Sequence, residues 1–388
     1  MKKVLTFNNI SPLGLGRLPL DRYAVSAEMQ HPDAIILRSH TLHNYEVPDT
    51  LQCVGRAGAG VNNIPVDTMS ERGVVVFNTP GANANAVKEL VIAGMLLAAR
   101  NICQAWDYIN NLNQPDDAVL KKEVETGKKK YVGFELPGKT LAVIGLGAIG
   151  VKVANAAAAL GMQVTGYDPV ITVDNAWKLS SEVNKAATVE EALGRADFVT
   201  FHVPLIDATH NMLNAQRLAT MQEGVVVINL ARGGIVDDTA VLAGLEQGRV
   251  GAYVTDFPSN QSKSHPGVIA LPHLGASTRE AEENCAVMVA DQVRDFLENG
   301  HITNSVNFPD ITLPRSGCQR IAIANANRPD MVGQISHILG NSGLNICHMV
   351  NESRGAVAYT LVDIESEVGG DVLEKITAIE GVLKVRAL

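Results

Sequence analysis

The sequence predicts an α/β protein with parallel sheets that is followed by a smaller α+β domain. Its 388 residues exceed what one hydrophobic core usually supports, so we expect two or three domains. Short β-branched runs such as "GVVVFNT" and "GVVVINLA" alternate with longer helical patterns, and continuously apolar strands belong to sheets covered on both faces. The last roughly 70 residues have the order strand, helix, strand, strand, helix, strand, which is ferredoxin-like.

Composition and charge limit the classes of function. With 46% hydrophobic and 19% charged residues the chain is typical of a globular protein, and its net charge of -9 argues against nucleic acid as a partner. No apolar run is long enough for a membrane span or a signal peptide, so no membrane partner is expected. The five cysteines are scattered without metal-ligand spacing, which predicts free thiols, no metal site and a reducing cytoplasm.

Two polar segments are candidate domain boundaries. Residues 114–139 are rich in lysine, and residues 303–316 contain two prolines without a helical period. Within the first segment, the three lysines at 128–130 are more typical of a solvated face than of a phosphate site. Residues 86–100 are apolar nearly all round, which predicts a buried helix between domains.

The stretch "LAVIGLGAIG" joins a strand to a helix through Gly145, Gly147 and Gly150. The first glycine permits the tight turn, the second lets a pyrophosphate approach bare backbone, and the third allows the helix, which starts near Ala148, to pack on the strand. Asp168 ends the next apolar run, where its carboxylate can accept hydrogen bonds from ribose hydroxyls and would repel a 2'-phosphate. The stretch therefore predicts a Rossmann-like dinucleotide site that prefers NAD over NADP.

Four further segments carry a resemblance to a known family. In chain order they are "GKTLAVIGLGAIG", "FHVPL", "NLARGGIVD" and "LPHLGAST", and over residues 1–310 the chain resembles the D-isomer-specific 2-hydroxyacid dehydrogenases. The segment "NRPDMVGQISHILGNSGLNI" is similar to an ACT domain. Together they imply NAD-dependent oxidation of 3-phospho-D-glycerate to 3-phosphohydroxypyruvate in serine synthesis, with amino-acid feedback at the ACT domain. Two alternatives stay open: a glyoxylate or hydroxypyruvate reductase of the same family, and an NAD-sensing scaffold without turnover.

The resemblance also implies an architecture. A Rossmann-like, doubly wound parallel sheet domain at residues 96–275 is expected to be inserted in a flavodoxin-like substrate-binding domain. That domain would consist of residues 1–95 and a returning segment at 276–310, and residues 317–388 would form the ferredoxin-like ACT domain. The family is usually dimeric through its nucleotide domain, and ACT pairing would extend a homodimer to a homotetramer, with serine as a candidate effector.

The implied reaction needs a base for a hydroxyl proton and a cation for a carboxylate. By resemblance, His273 is the base and Arg232 holds the carboxylate. Relatives place a glutamate beside the histidine, whereas this sequence has Asn260 at the nearest equivalent position. An amide can orient an imidazole but stabilises its cation less than a carboxylate does. Either the pH optimum is shifted, therefore, or another acid takes that role, for which Glu282 and Glu283 are the candidates.

The other site residues are implied by the same motifs. Two arginines at the ends of apolar strands would suit a phosphate, and Asp256 would contact the nicotinamide amide. The substrate-binding positions are Arg38, Arg56, Ala57, Gly58, Asn78 and Gly81. The cofactor-binding positions are Gly145, Gly147, Ala148, Ile149, Gly150, Asp168, Val203, Pro204, Leu230, Ala231, Arg232, Asp256, His273, Gly275 and Ala276. The effector positions are Asn325, Asn327 and Asn345, the first of which is a histidine in relatives.

Overall fold

The computed structural model describes the whole chain, residues 1–388, as two compact units. The first unit contains residues 1–82 and 279–388, and the second contains residues 83–278. The strands are β1 Lys2–Thr6, β2 Tyr23–Ser26, β3 Ala34–Leu37, β4 Cys53–Arg56, β5 Val75–Phe77, β6 Thr140–Ile144, β7 Gln163–Tyr167, β8 Val183–Lys185, β9 Phe198–Phe201, β10 Val225–Asn229, β11 Val250–Thr255, β12 Val268–Ala270, β13 Gln319–Ala326, β14 Ile346–Arg354, β15 Val357–Ile364 and β16 Val382–Ala387. The helices are α1 Pro12–Leu15, α2 Val66–Glu71, α3 Ala84–Ala99, α4 Ile102–Asn110, α5 Asp117–Gly127, α6 Ala148–Ala159, α7 Val173–Lys178, α8 Val189–Leu193, α9 Ala215–Thr220, α10 Asp238–Glu246, α11 Arg279–Asn299, α12 Met331–Asn341 and α13 Gly370–Thr377.

The first unit begins with a parallel five-stranded sheet. Its strand order, β2-β1-β3-β4-β5, is flavodoxin-like. Strand β3 is buried at every position, as expected for a central strand covered on both faces. Helix α11 lies so close to β4 that a Cβ at Gly55 would come within 2.5 Å of the Val289 side chain, so glycine is needed where helix and sheet meet.

The second unit is built on a parallel seven-stranded sheet. Its order, β12-β11-β10-β9-β6-β7-β8, is that of a doubly wound Rossmann-like fold. The direction of strand succession reverses between β6 and β9, which is where such sheets bind nucleotides at their carboxyl edge. The predicted fold class is confirmed in both units.

Helix α3 belongs to the second unit rather than to a junction between domains. Val87, Val91 and Met95 are buried in the same core as Leu141 and Val143 of β6, because the nearly apolar helix needs the sheet to cover it. The unit boundaries therefore fall between residues 82 and 83 and between 278 and 279, instead of at the predicted 95/96 and 275/276.

The lysine-rich segment at 114–139 is also not a boundary. It contains α5 and a 3₁₀ turn at Lys128–Tyr131, and it lies inside the second unit. Asp116 begins α5 by accepting hydrogen bonds from the backbone N–H groups of Ala118 and Val119. The three lysines of the turn are exposed, and Lys128 forms an ion pair with Glu125, which agrees with the predicted solvated face.

The proline-containing segment at 303–316 lies between α11 and β13 and packs against the first sheet. Asn307 is buried, and its side chain accepts a hydrogen bond from Val76 N at 2.9 Å and donates to Val74 O at 2.9 Å. Phe308 and Ile311 are buried in the core of the first unit. An irregular segment can be buried here because the Asn307 side chain satisfies the backbone groups at the edge strand β5.

The C-terminal sheet is antiparallel, with the ferredoxin-like order β14-β15-β13-β16, and is ACT-like. Helices α12 and α13 cover one face through residues such as Ile335 and Ile376. The other face contributes Tyr359 and Leu361 to the core that also contains Phe296 of α11 and Phe308. The predicted ACT domain at 317–388 therefore shares a hydrophobic core with the parallel five-stranded sheet, because only one face of its own sheet is covered by its own helices.

A fully buried ion pair joins the C-terminal sheet to the end of α11. Arg320 donates two hydrogen bonds to the Asp363 carboxylate, at 2.6 and 2.8 Å, and a third to the carbonyl oxygen of Asn299 at 3.0 Å. Such a pair is stable in an apolar interior only when further hydrogen bonds satisfy its remaining donors, as they do here. None of the helices is both long enough and apolar enough to span a lipid bilayer.

Candidate active site

Most of the predicted cofactor-binding positions follow the carboxyl ends of β6, β7, β9, β10 and β11 in the second unit. The three glycines after β6 have three different environments. Gly145 has a φ of 93° and donates to Tyr167 O at 2.8 Å, and a Cβ at Gly150 would lie 1.8 Å from the carbonyl oxygen of Gly145. A Cβ at Gly147 would meet no heavy atom within 4 Å. The turn thus brings helix and strand together and leaves open space at Gly147, the arrangement that a pyrophosphate needs.

Asp168 is held at the end of β7 by two backbone donors. Its Oδ2 accepts from Leu146 N at 2.8 Å and its Oδ1 accepts from Val170 N at 2.9 Å. Each carboxylate oxygen can accept a second hydrogen bond, so a diol can still bind. The residues present therefore fit an adenosine ribose beside the glycine turn.

Arg232 lies in the loop after β10, and a buried asparagine shapes that loop. The Asn229 side chain donates from Nδ2 to the Arg232 carbonyl oxygen at 2.9 Å and accepts from Ala231 N at 3.3 Å. Arg232 itself donates to the carbonyl oxygen of Ala231 at 2.8 Å. The sequence analysis did not single out Asn229, although a polar residue at the end of the apolar run "GVVVIN" was a usable signal.

Asp256 connects the end of β11 to the loop that carries His273. Its side chain is 2% exposed, its Oδ2 accepts from Gly275 N at 3.1 Å, and its backbone oxygen accepts from His273 N at 3.1 Å. Its Oδ1 is buried without a hydrogen-bond partner. Burial raises the pKa of Asp256, while the Gly275 amide and the charges of His273 and Arg232 oppose this rise. An unsatisfied buried acceptor at this edge fits the amide of a nicotinamide ring.

His273 has a backbone conformation that side-chain-bearing residues rarely adopt. Its φ is 33°, its side chain is exposed, and its ring centroid lies 4.6 Å from that of Phe257. Strained backbone of this kind costs free energy and is common at functional sites. The structure records no hydrogen bond between His273 and the exposed Asn260, so the role of Asn260 stays a prediction.

His202, at the end of β9, is a second histidine at the same edge, and the sequence analysis did not identify it. Burial lowers its pKa to about 3, so the ring is neutral at physiological pH. Its Nε2 lies 3.1 Å from Thr200 Oγ1, and its Nδ1 has no partner. The His202 carbonyl oxygen would lie 2.6 Å from a Cβ at Gly145, so this strand end helps to exclude other residues from that position. Its presence in "FHVPL" was the available signal.

The predicted substrate-binding residues lie at or directly after the carboxyl ends of β3, β4 and β5 in the first unit. The Arg56 side chain donates from Nε to the Arg38 carbonyl oxygen at 3.1 Å, and Asn78 donates to Ala59 O at 2.6 Å. A Cβ at Gly58 would lie 2.3 Å from the Arg56 guanidinium, so glycine gives that group its space. The other predicted positions are the buried Ala57 and the left-handed Gly81, whose φ is 80°.

Glu282 is engaged by one of these arginines. Its Oε1 lies 2.7 Å from Arg38 Nη1, and both side chains are partly exposed. Glu282 was a candidate for the acid that replaces the family glutamate, and the structure gives it a cation as partner within the first unit. Glu283, the other candidate, is a half-buried neighbour on α11.

The three predicted effector positions do not come together within one chain. Asn325 is 1% exposed, with its Oδ1 unpartnered, and Asn327 donates to Gly355 O at 3.0 Å. Asn345 lies at the opposite end of the sheet, where its carbonyl oxygen accepts from Glu365 N. Asn325 pairs with Ala358 of β15, and Asn345 directly precedes Ile346, which pairs with Ile364 of the same strand. These points are six positions apart along β15, which places Asn325 and Asn345 about 20 Å apart.

Comparison with known proteins adds to this geometry. Residues 92–275 match the sequence profile of the D-isomer specific 2-hydroxyacid dehydrogenase NAD binding domain. The D-3-phosphoglycerate dehydrogenase of Haemophilus influenzae is 32% identical over 367 residues, which cover 90% of this chain and 85% of the relative. The enzymes of the same name from Methanocaldococcus jannaschii and Bacillus subtilis are 37% and 38% identical over 299 and 294 residues. These alignments cover 75% and 74% of this chain but 54% and 53% of the relatives, so the chain spans about half the length of these two proteins.

Solved structures agree on the fold. The NAD⁺-bound 3-phosphoglycerate dehydrogenase of Entamoeba histolytica superposes with a TM-score of 0.60 at 23% identity, covering 79% of this chain and 98% of that one. The apo D-mandelate dehydrogenase of Rhodotorula graminis superposes with a TM-score of 0.66 at 21% identity, covering 81% of this chain and 99% of that one. At these identities the likeness concerns the fold alone.

Proposed function

Because the chain belongs to the D-isomer-specific 2-hydroxyacid dehydrogenase family, we propose that it oxidises 3-phospho-D-glycerate to 3-phosphohydroxypyruvate with NAD. The observation that carries the proposal is the set formed by Arg232, Asp256 and His273. Arg232 lies in the loop after β10, Asp256 directly follows β11, and His273 lies in the loop after β12. Oxidation of a 2-hydroxy acid requires a proton acceptor and a cation for the carboxylate, which His273 and Arg232 can supply, and the unpartnered acceptor of Asp256 can hold the amide of the cofactor.

NAD is the cofactor of this site, and bound NAD supplies the two-electron acceptor of the oxidation. The open backbone at Gly147 would hold its pyrophosphate, the Asp168 carboxylate its adenosine ribose and Asp256 Oδ1 its amide. The negative charge of Asp168 would also repel the 2'-phosphate of NADP.

The protein's own residues have separate roles in the proposed mechanism. The Arg232 guanidinium would bind the substrate carboxylate through two parallel hydrogen bonds and polarise the forming carbonyl oxygen. The exposed His273 imidazole would accept the proton of the 2-hydroxyl group. The Phe257 ring lies beside the imidazole, with the ring centroids 4.6 Å apart, and the Asp256 carbonyl oxygen accepts a hydrogen bond from the His273 backbone.

Arg38 and Arg56 support a phosphorylated substrate. Two guanidinium groups on adjacent strand ends can bind the dianionic phosphate, and Arg38 would exchange its contact with Glu282 for that phosphate. The test is NADH formation from NAD with 3-phosphoglycerate or D-glycerate. We expect Arg38→Ala to raise the KM for 3-phosphoglycerate roughly tenfold or more and to leave the KM for D-glycerate unchanged. Equal use of the two acids by the unaltered protein would instead favour the glyoxylate or hydroxypyruvate reductase.

His273 provides the test of the catalytic role. We expect His273→Ala to lower kcat by about 100-fold or more while the Kd for NADH changes little, since the imidazole acts on the substrate proton. A parallel loss of NADH binding would contradict the assignment and make His273 a structural residue. NADH binding without any turnover by the unaltered protein would support the NAD-sensing scaffold.

We further propose that the chain acts as a cytoplasmic homodimer or homotetramer and that serine regulates it through the C-terminal sheet. Strand β14 is an edge strand, and antiparallel pairing of two copies along it would bring Asn345 of one to the end that carries Asn325 and Asn327 of the other. We expect serine to lower turnover, and Asn345→Ala to lose this response while keeping the uninhibited rate. Turnover that is insensitive to serine in the unaltered protein would refute the regulatory proposal.

A further inference from the structure

Two of the five cysteines meet in the C-terminal sheet, although 28 residues separate them in the sequence. Cys318 directly precedes β13, and Cys347 is the second residue of β14. Strands β13 and β14 lie on either side of β15, and both pair with the end of β15 at Ile364. The two cysteines are therefore brought together by the topology of the sheet and not by closeness in the chain.

A break in the ladder directs Cys347 toward its partner. Strand β14 pairs Ile346 with Ile364 and His348 with Asp363, so Cys347 is an extra residue without a partner on β15. Bulges of this kind re-aim a side chain and are common where a strand has a specific local task. Without the bulge, the alternation of β14 would turn every following side chain to the opposite face.

The two sulfur atoms are in contact. Cys318 Sγ lies 2.6 Å from Cys347 Sγ, and both residues are half-buried, so small oxidants can reach them. A covalent bond between two sulfur atoms is about 2.05 Å long, so bond formation requires a movement of only about half an ångström. The other three cysteines lie elsewhere: Cys53 and Cys285 are buried in the core of the first unit, and Cys103 belongs to the second.

We propose that Cys318 and Cys347 form an oxidative modification site, a vicinal thiol pair that peroxide converts to an intrachain disulfide. This inference is independent of the function proposed above. It rests on the position of the two strands, the bulge and the contact of the two sulfur atoms.

The chemistry balances with hydrogen peroxide as the oxidant. The Cys318 thiol gives up its proton, its sulfur attacks one peroxide oxygen and the O–O bond breaks; the leaving hydroxide takes up that proton, so the products are a sulfenic acid on Cys318 and one water. The Cys347 sulfur then attacks the Cys318 sulfur, the S–S bond forms, the S–O bond of the sulfenic acid breaks, and the leaving hydroxyl takes the Cys347 proton to become a second water. Two thiols have lost two electrons and two protons, and peroxide has been reduced to two waters. A dithiol such as dithiothreitol reverses the reaction by thiol–disulfide exchange.

The order of attack follows from the local charges. The contact with Cys318, together with burial and the nearby carboxylates of Glu365 and Asp363, raises the pKa of Cys347 to about 11. Cys347 therefore keeps its proton at neutral pH, which makes it a poor nucleophile toward peroxide. We accordingly assign the first attack to Cys318 and the resolving step to Cys347.

The disulfide would have a defined structural effect. It would close a loop of about 30 residues that contains β13 and α12, and it would attach edge strand β14 to the start of β13. We expect backbone amides of residues 346–350 to exchange with solvent at least severalfold more slowly in the oxidised protein. We also expect the thermal midpoint to rise by roughly 5 °C, since the reduced chain loses more conformational freedom on folding.

The test uses the full chain. The protein is treated with hydrogen peroxide, its remaining thiols are blocked with N-ethylmaleimide, and it is digested without reduction for mass spectrometry. We expect one peptide pair joined through Cys318 and Cys347, two hydrogens lighter than the separate peptides, which dithiothreitol separates again. The matched control, Cys103→Ser, should give the same pair, and Cys318→Ser should give none.

Three results would overturn the proposal. Blocked thiols at both positions after peroxide would show that the pair does not react. Irreversible sulfinic acid at Cys318 with Cys347 still reduced would show that Cys347 cannot resolve the sulfenic acid. A disulfide that joins Cys318 of two chains, visible as a dimer on a non-reducing gel, would place the bond between copies instead of within the C-terminal sheet.

Discussion

At the scale of single residues, Asp256 makes two hydrogen-bond contacts and leaves one carboxylate oxygen without a partner. Its Oδ2 fixes Gly275, its backbone oxygen fixes His273, and its Oδ1 is buried without a partner. A buried unsatisfied acceptor is a cost to the folded chain, and burial raises the pKa of the carboxyl group for the same reason. A buried acceptor that is left unpaired at a cost to the fold is typical of a ligand contact.

Asp256→Asn separates these effects. The pKa of Asp256 is raised in the folded state. The contribution of such an acid to the stability of the folded protein therefore falls as pH rises from its unfolded pKa through its folded pKa, and it stays lower above both. We therefore expect the amide variant to unfold at a higher temperature than the parent at neutral pH, with the difference vanishing below about pH 4. The amide oxygen would stay on Gly275 and an NH2 group would replace Oδ1, so the Kd for NADH should rise roughly tenfold.

Thermal melts across pH and NADH titration by fluorescence would measure both effects. Asp207→Asn, at an exposed loop position, is the matched control and should change neither. A variant that is less stable at neutral pH would show that the charge of Asp256 supports the fold, contrary to this interpretation.

At the scale of elements, the β6–α6 turn offers two glycines with opposite environments. We expect Gly150→Ala to destabilise the second unit by about 3 kcal/mol, because its Cβ would strike the Gly145 carbonyl oxygen. Gly147→Ala should leave the melting temperature nearly unchanged, because its Cβ would meet no heavy atom, and yet raise the Kd for NADH at least about tenfold. Calorimetry with NADH titration distinguishes the two variants, and a Gly147→Ala protein with normal NADH affinity would argue against a pyrophosphate at this turn.

The packing of the segment at 303–316 depends on one side chain at the edge of the first sheet. We expect Asn307→Ala to destabilise the first unit by roughly 3 kcal/mol, because Val76 N and Val74 O would be buried without partners. Asp310→Ala, at an exposed position of the same segment, should change stability by less than about 0.5 kcal/mol. Urea unfolding measures both changes, and equal effects would mean that the segment is held by its backbone rather than by Asn307.

The elements predicted best from the sequence are those that depend on residues close together in the chain. Three glycines at fixed spacing determine the β6–α6 turn, and α6 begins at Ala148 as expected. The prolines of the segment at 303–316 indicate a loop, which it is, but they do not predict its packing, because the burial of Asn307 depends on the distant strand β5. The contact of Arg38 with Glu282 was hidden for the same reason, since 244 positions separate the two residues. Periodicity reports the local backbone and carries no information on such long-range packing.

At the scale of the whole molecule, the C-terminal sheet and the parallel five-stranded sheet should unfold together. Arg386 of β16 stacks over the Phe296 ring at 3.9 Å and donates to Gln52 and Tyr359. Side chains of β15, β16 and α11 therefore meet the residue that precedes β4. We expect the most protected amides of β3 and of β13 to exchange with the same opening free energy, because their strands share one core. Native-state hydrogen exchange by mass spectrometry measures this, and clearly weaker protection of β13 would show an independent C-terminal domain.

The same shared core restricts how this chain can change during evolution. Modules recombine freely where few contacts cross their boundary, but here the Tyr359 ring lies beside both Phe296 and Phe308. A larger or smaller side chain at one of these positions alters the volume available to the other two. The C-terminal sheet could therefore be exchanged for that of a relative only together with the end of α11 and the segment after it, so these pieces are expected to be inherited as one block.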